Sequence, residues 1–202
     1  MHPEAVQFTE FVKKNLPTSF TGKTVLDVGS GDINGNNASL FNKCMYVGND
    51  VFSAPNVTIV SKTSALPYEP NTFDTIISTE CFEHDPEYEL SFKKIIELLK
   101  PGGLFVFTCA STGRPEHGTR RTSPNDSYGT IGNVSGWTDY YKNITFDDLN
   151  TSIDVDKTFT SYASYYNTSP YDLYFWGIKK GGPAVNIPIY SHMSTVLTNI
   201  KK

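Results

Sequence analysis

Apolar positions recur at helical spacing from the start of the chain: Ala5, Phe8, Phe11, Val12 and Leu16, with Pro3 in the first turn and Pro17 just past the last. The pattern predicts a helix over 3–16 lying on a core. The period then changes. Thr24 to Val28 is a short apolar run that delivers the chain into Gly29-Ser30-Gly31, which reads as a buried strand entering a glycine turn. A brief helix is predicted over 37–43, then strands over 45–49 (closing on Asp50), 56–60 and 73–78, rich in Val, Ile, Tyr and Phe. From Pro86 to Lys100, Tyr88, Leu90, Phe92, Ile95, Ile96, Leu98 and Leu99 make an amphipathic helix that Lys100-Pro101-Gly102-Gly103 stops. The nearly unbroken apolar run Leu104 to Cys109 suits a strand buried on both faces of a parallel sheet.

Beyond Cys109 the pattern loosens. Residues 111–143 are rich in Gly, Ser, Thr, Pro and Arg without a period, and read as one long loop or lid. Thr145-Phe146-Asp147-Asp148-Leu149 reads as a capped helical turn. Aromatic-rich strands over 155–166 and 173–180 flank the turn signal Asn167-Thr168-Ser169-Pro170, giving an antiparallel hairpin within 153–180 at the sheet edge. Residues 183–202 are a tail without a clear pattern. Alternating strands and helices imply right-handed crossovers and a doubly wound, mostly parallel α/β sheet closed by that hairpin. At 202 residues the chain is expected to be a single domain, 1–202.

Charge and cysteine usage narrow the function classes. Lys and Arg total 17 against 21 Asp and Glu, a net charge of −4, which argues against a general nucleic-acid binder. No stretch approaches the ~20 apolar residues of a membrane span, and the first residues lack the order of a secretory signal. Cys44, Cys81 and Cys109 are odd in number and far apart, so a reducing compartment and a cytoplasmic location are expected.

The Gly29-Ser30-Gly31 turn follows the first strand, and Asp50 ends the second about 20 residues on, the layout of a site for a ribose-bearing cofactor. The third glycine of a dinucleotide fingerprint is missing: Asn34 stands in its place and Gly35 comes one later. Taken singly, the glycines can serve backbone geometry, Asp50 can cap a helix, Glu83 can cap or pair locally, and His84 can be structural or catalytic. The ordered set is more specific: Val-Leu-Asp-Val-Gly-Ser-Gly at 25–31, Asn49-Asp50, Leu-Pro-Tyr at 66–68, Phe73-Asp74, Glu83-His84 and Leu-Lys-Pro-Gly-Gly at 99–103. It resembles class I S-adenosylmethionine-dependent methyltransferases over residues 20–110, and the resemblance implies a Rossmann-like core. By that resemblance Asp27 with Gly29, Ser30 and Gly31 holds the methionine end of S-adenosylmethionine and Asp50 binds the ribose. Ser64 and Ala65 should border the adenine, and Thr79 and Glu80 should face the sulfonium. Many such enzymes carry an acidic residue a few positions before the Leu-Pro pair; here Lys62, Thr63 and Ser64 occupy that stretch.

The segment after the fifth strand should border the methyl group. His117 is the first candidate for a general base and His84 the second, with Glu116 to orient the imidazole. Arg114, Arg120 and Arg121 can bind phosphate or carboxylate oxygens, or pair with nearby acids in a solvated loop. Tyr128, Trp137, Tyr140 and Tyr141, interleaved with Asn125, Asp126, Ser127 and Asp139, suit a carbohydrate or pack the lid. A looser match of residues 29–35 and the Glu-His-Gly-Thr-Arg-Arg loop resembles methyltransferases of glycan and surface-polysaccharide assembly, including viral ones. It implies O-methylation of a sugar hydroxyl, for example on a deoxyhexose such as rhamnose, beside or fused to glycosyltransferases. Methylation of a small metabolite or a protein side chain, or cofactor binding without catalysis, are the alternatives. For a divalent metal, Asp85 or Asp126 can contribute, but no ligand spacing is diagnostic.

Overall fold

The computed structural model describes residues 2–191. One seven-stranded sheet organises them, in the order β3-β2-β1-β4-β5-β7-β6. The strands are β1 (Thr24–Val28), β2 (Met45–Asp50), β3 (Ile59–Val60), β4 (Phe73–Thr79), β5 (Leu99–Ala110), β6 (Phe159–Asn167) and β7 (Asp172–Lys179). The first five run parallel; β7 lies antiparallel between β5 and β6. The mostly parallel α/β sheet with an antiparallel terminal hairpin is therefore the observed fold.

Side chains alternate across this sheet as the pleat requires. Leu26, Val28, Phe105 and Phe107 point to one face, where they pack with Phe92, Ile95 and Leu98 of helix α2 (Tyr88–Leu98). Val25, Leu104 and Val106 point to the other, where Phe8 and Val12 of helix α1 (Pro3–Asn15) cover them. Phe8 also meets the rings of Tyr165, Tyr174 and Tyr190, so part of the patternless tail returns onto α1. Residues 192–202 of that tail lie outside the described residues.

Several boundaries differ from expectation for local reasons. The expected helix over 37–43 is a single 3-10 turn, Ala38–Leu40. Strand β3 keeps only two residues because Asn56 turns at φ 71° and spends its side chain on Ser30 O and Tyr46 Oη, bracing the glycine turn. Strand β5 begins at Leu99, so the glycines expected to separate helix from strand lie inside it, at a register shift against Phe73–Thr75. The lid contains a 3-10 turn, Pro124–Asp126, and the short helical turn α3 (Tyr128–Ile131). Helix α4 (Phe146–Ile153) carries the expected cap. Residues 155–158 form a helical turn, α5 (Val155–Thr158), rather than strand, because Asp154 adopts a left-handed conformation and accepts from Lys157 N.

Candidate active site

A cavity opens at the C-terminal ends of β1, β2, β4 and β5, the position the strand order dictates in a doubly wound sheet. Asp27, Gly29, Ser30, Gly31, Asp50, Thr63, Thr79 and Glu80 line one part of it. Asp27 is fully buried and accepts from Asn37 Nδ2 and Tyr46 Oη. Burial pushes its carboxyl up to about 7 in spite of these bonds, and Asp50 nearby adds to the effect. Asp50 is raised to about 6, again by burial, while Oδ2 accepts from Gly31 N at 3.1 Å and Oδ1 from Val51 N at 2.7 Å. The glycines are sterically required. A Cβ on Gly31 would lie 2.4 Å from the Tyr128 ring and 2.9 Å from Asp50 Oδ2; one on Gly29 would lie 2.4 Å from Cys81.

The opposite part is lined by His2, Glu80, His84, Arg114 and His117. The His84 and His117 rings, far apart in sequence, meet edge to face at 4.9 Å with Tyr141 beside both. Burial holds both imidazoles neutral: His84 is pushed down to about 3, and His117 also lies below its usual value. His117 Nδ1 lies 3.1 Å from the Pro115 carbonyl, which can only accept, so Nε2 keeps its lone pair. Glu83 is fully buried behind them, with burial and the Glu80 charge raising its carboxyl well above the usual range.

Sequence reasoning missed His2. Its Nε2 reaches Asp172 Oδ2 at 2.7 Å and Glu80 Oε2 at 3.2 Å, and Nδ1 reaches Glu4 at 3.1 Å. Burial opposes its charge, but the Asp172 and Glu80 hydrogen bonds outweigh it and raise it to about 10. In return His2, with Thr108, holds Glu80 below the usual carboxylate range against the effect of burial. Glu80 sits at φ 54°, a left-handed conformation for a side chain that has no glycine licence, at the end of β4.

Of the expected site residues, Asp27, Gly29, Ser30, Gly31, Asp50, Thr79, Glu80, His84, Arg114, His117, Tyr128 and Trp137 come together around this cavity. Ser64 and Ala65 do not line it: Ser64 donates to Glu87, and Thr63 faces inward instead. Glu116 does not orient His117; it pairs with Thr119 and Arg121. Arg120 is spent on Asp139, and both arginines are largely exposed, so the solvated-loop reading describes them. Arg114 turns to Pro170 O and Asp172. Tyr140 also lies off the cavity. Tyr128 covers Gly31 and donates to Asp32 O, and Trp137 stacks under Lys62 Nζ, so these aromatics stand at the Asp50 end rather than beside His117. Asp85 accepts from Ser91 Oγ and Glu87 N, and both Asp85 and Asp126 line the cavity.

A family model described as a methyltransferase domain matches residues 3–149. The chain belongs to that family. Phosphoethanolamine N-methyltransferase 2 of Caenorhabditis elegans is 41% identical over 58 residues, 28% of this chain and 13% of that protein. Phosphoethanolamine N-methyltransferase 2 of Haemonchus contortus, solved with S-adenosylmethionine, superposes with a TM-score of 0.59 at 18% identity over 87% of this chain and 52% of that one. A Burkholderia thailandensis 1,6-didemethyltoxoflavin N1-methyltransferase gives a TM-score of 0.55 at 15% identity, over 87% and 90% of the two chains. The chain thus spans about half the length of the solved Haemonchus enzyme.

The cavity's residues fit S-adenosylmethionine, the cofactor bound in the solved Haemonchus enzyme. Among the described residues Asp27 is a buried carboxylate with no cation beside it, and the buried Asn37 Oδ1 next to it has no partner; the ammonium of the cofactor's methionine would supply a donor to both. Asp50, anchored by two amides, keeps lone pairs for ribose hydroxyls. When bound, the cofactor supplies an electrophilic methyl group. Among the described residues no helix is long and apolar enough to cross a membrane.

Proposed function

We propose that this methyltransferase acts on a hydroxyl group of a small polyhydroxylated acceptor, a sugar unit of a glycan being the class favoured by the motif resemblance. The observation that carries the hydroxyl reading is the pair of neutral imidazoles at the end of the cavity away from Asp50. A hydroxyl must lose its proton to become an effective nucleophile, and a neutral imidazole with a free lone pair accepts it. His117 Nε2 is that lone pair in the metal-free protein, with Pro115 O fixing the tautomer. Arg114 and Glu80, on the same wall, supply a directional donor and acceptor for further hydroxyls. His2 and the lid residues Arg114 and His117 border this end, where they would hold the acceptor in line with the methyl group. Such an enzyme would work in the cytoplasm beside glycosyltransferases.

A second reading, methylation of a small amine, draws on Glu80 and Asp172, which hold the cationic His2 and would hold an ammonium in the same way. The structural relatives named for phosphoethanolamine methylation make it worth testing. Conversion of S-adenosylmethionine to S-adenosylhomocysteine, followed with free and linked sugars and with phosphoethanolamine, separates the two. Turnover with a sugar, lost in His117→Ala, is expected; turnover confined to the amine would refute the hydroxyl reading, and cofactor binding without any turnover would reduce the chain to a binding module.

A further inference from the structure

Three side chains at the acceptor end hold unspent donor atoms that face one another. Glu83 has no solvent exposure, yet among the described residues neither carboxyl oxygen has a hydrogen-bond partner. The amides of Glu83 itself and Ala110 approach it without closing a bond of normal geometry. His84 is 8% exposed, and its Nδ1 is equally unpartnered. His117 Nε2 lies 3.9 Å from Glu83 Oε1, and one donor atom from each of the three falls within 4.8 Å of the others. Buried polar atoms are rarely left without partners, because each costs its full desolvation penalty. Three together, in a cluster that opens into the cavity through His84 and His117, call for a ligand.

We propose that Glu83, His84 and His117 form a binding site for a divalent transition-metal ion. Two imidazoles and one carboxylate are a donor set for zinc, manganese, cobalt or ferrous iron rather than for magnesium or calcium, which prefer all-oxygen shells. The surroundings of His117 have the form that a metal-binding histidine needs, where the second nitrogen is tied to a backbone carbonyl so that the first presents its lone pair. Its Nδ1 has Pro115 O at 3.1 Å. Metal–ligand bonds of about 2.0–2.2 Å put neighbouring donors roughly 3 Å apart, so the cluster closes by about an ångström on loading. The loop permits this: Gly118, at φ +69°, lies where a Cβ would be 2.5 Å from His84 Cε1, so the chain after His117 already drops onto the His84 ring. The neighbouring triad of His2, Glu80 and Asp172 also has metal-ligating side chains, but they are paired with one another at 2.7 and 3.2 Å.

Three protein ligands leave coordination positions open toward the cavity. Acceptor oxygens would occupy them, an assignment that rests on the hydroxyl reading above; the ion site itself does not. With the ion bound, His117 is a ligand rather than a base, so the two roles exclude each other and metal dependence tells them apart.

The test is a titration of the chelator-treated, tag-free protein with Co²⁺, read by visible d–d absorption, with Mn²⁺ binding followed by electron paramagnetic resonance. One equivalent is expected to bind. His117→Ala and Glu83→Gln should each weaken binding by more than the ~10–100-fold that loss of a supporting partner costs, while His2→Ala, which breaks the other triad, leaves it unchanged. His117→Ala alters a side chain at the cavity edge, and unchanged affinity for S-adenosylmethionine shows that each variant is folded. Absence of cobalt bands in the wild type, bands that survive His117→Ala, or bands lost only in His2→Ala would overturn the site. Cobalt binding without sugar turnover would leave the site standing and remove the acceptor assignment; sugar turnover by a protein that binds no metal would do the reverse.

Discussion

Asp27 carries a cost that the apo protein does not recover. Its folded-state value of about 7, against 3.8 in an exposed chain, means that the folded protein holds this proton more tightly than the unfolded one. Stability contributed at this position is therefore lost as pH rises from about 4 to 7, and the penalty is complete above that window. Asp27→Asn removes the penalty while keeping an acceptor for Tyr46, and the unpartnered Asn37 Oδ1 can take the new amide. The expected outcome at pH 8 is a melting temperature equal to or above wild type, together with S-adenosylmethionine affinity at least about tenfold weaker, since a charge-assisted hydrogen bond is worth ~1.5–3 kcal/mol. Calorimetry and thermal melting on the same samples check it; a variant that melts lower yet binds the cofactor normally would contradict the assignment of Asp27. Asp27, Gly29, Gly31 and Asp50 were legible in the sequence because strand end, turn and ribose carboxylate follow one another locally. Glu83 and His2 were not, since their significance depends on partners that only the folded sheet brings near. For Arg120 and Arg121 the sequence left two readings open, oxyanion binding or pairing with nearby acids, and the pairing with Asp139 and Glu116 became visible only in the fold.

At the scale of elements, periodicity located the sheet and both long helices, and it failed where a single backbone conformation decides the structure. The apolar run after Asp154 looks like strand from its first residue, yet a left-handed Asp154 makes one helical turn before β6 begins. The lid was unreadable as structure because its order comes from contacts with the cavity, through Tyr128 on Gly31 and Trp137 under Lys62, and not from a repeating pattern. The cap of α4 was readable because it is local. Thr145 Oγ1 accepts from Asp148 N at 3.2 Å and Asp148 Oδ2 accepts from Thr145 N at 2.9 Å. Helix α4 buries Leu149 on the α2 face of the sheet. Thr145→Ala should thus cost about 1 kcal/mol of folding stability in a denaturant titration and leave cofactor affinity as it was. A loss of affinity at unchanged stability would mean that α4 positions the site rather than merely supporting the core.

The whole molecule closes its cavity with two segments that the central sheet does not contain: the lid after β5 and the residue just before α1. His2 joins the latter to the ends of β4 and β7 by bonding Glu80 and Asp172. The device is charged, so it depends on pH. His2, raised to about 10 from 6.5, stabilises the fold fully below pH 6.5 and loses that contribution as pH rises through about 10. Asp172, raised to about 6 by burial, also loses stability as pH rises, but that loss runs from about pH 4 to 6 and adds no slope above. The melting temperature of His2→Ala should accordingly fall well below wild type at pH 6.5 and approach it as pH rises to 10. Groups that titrate alike in both proteins cancel in the difference, which leaves the histidine bridge as the source of the convergence. A gap that stays constant across that range would mean that His2 contributes packing alone, and the proton-dependent closure of the acceptor end would have to be abandoned.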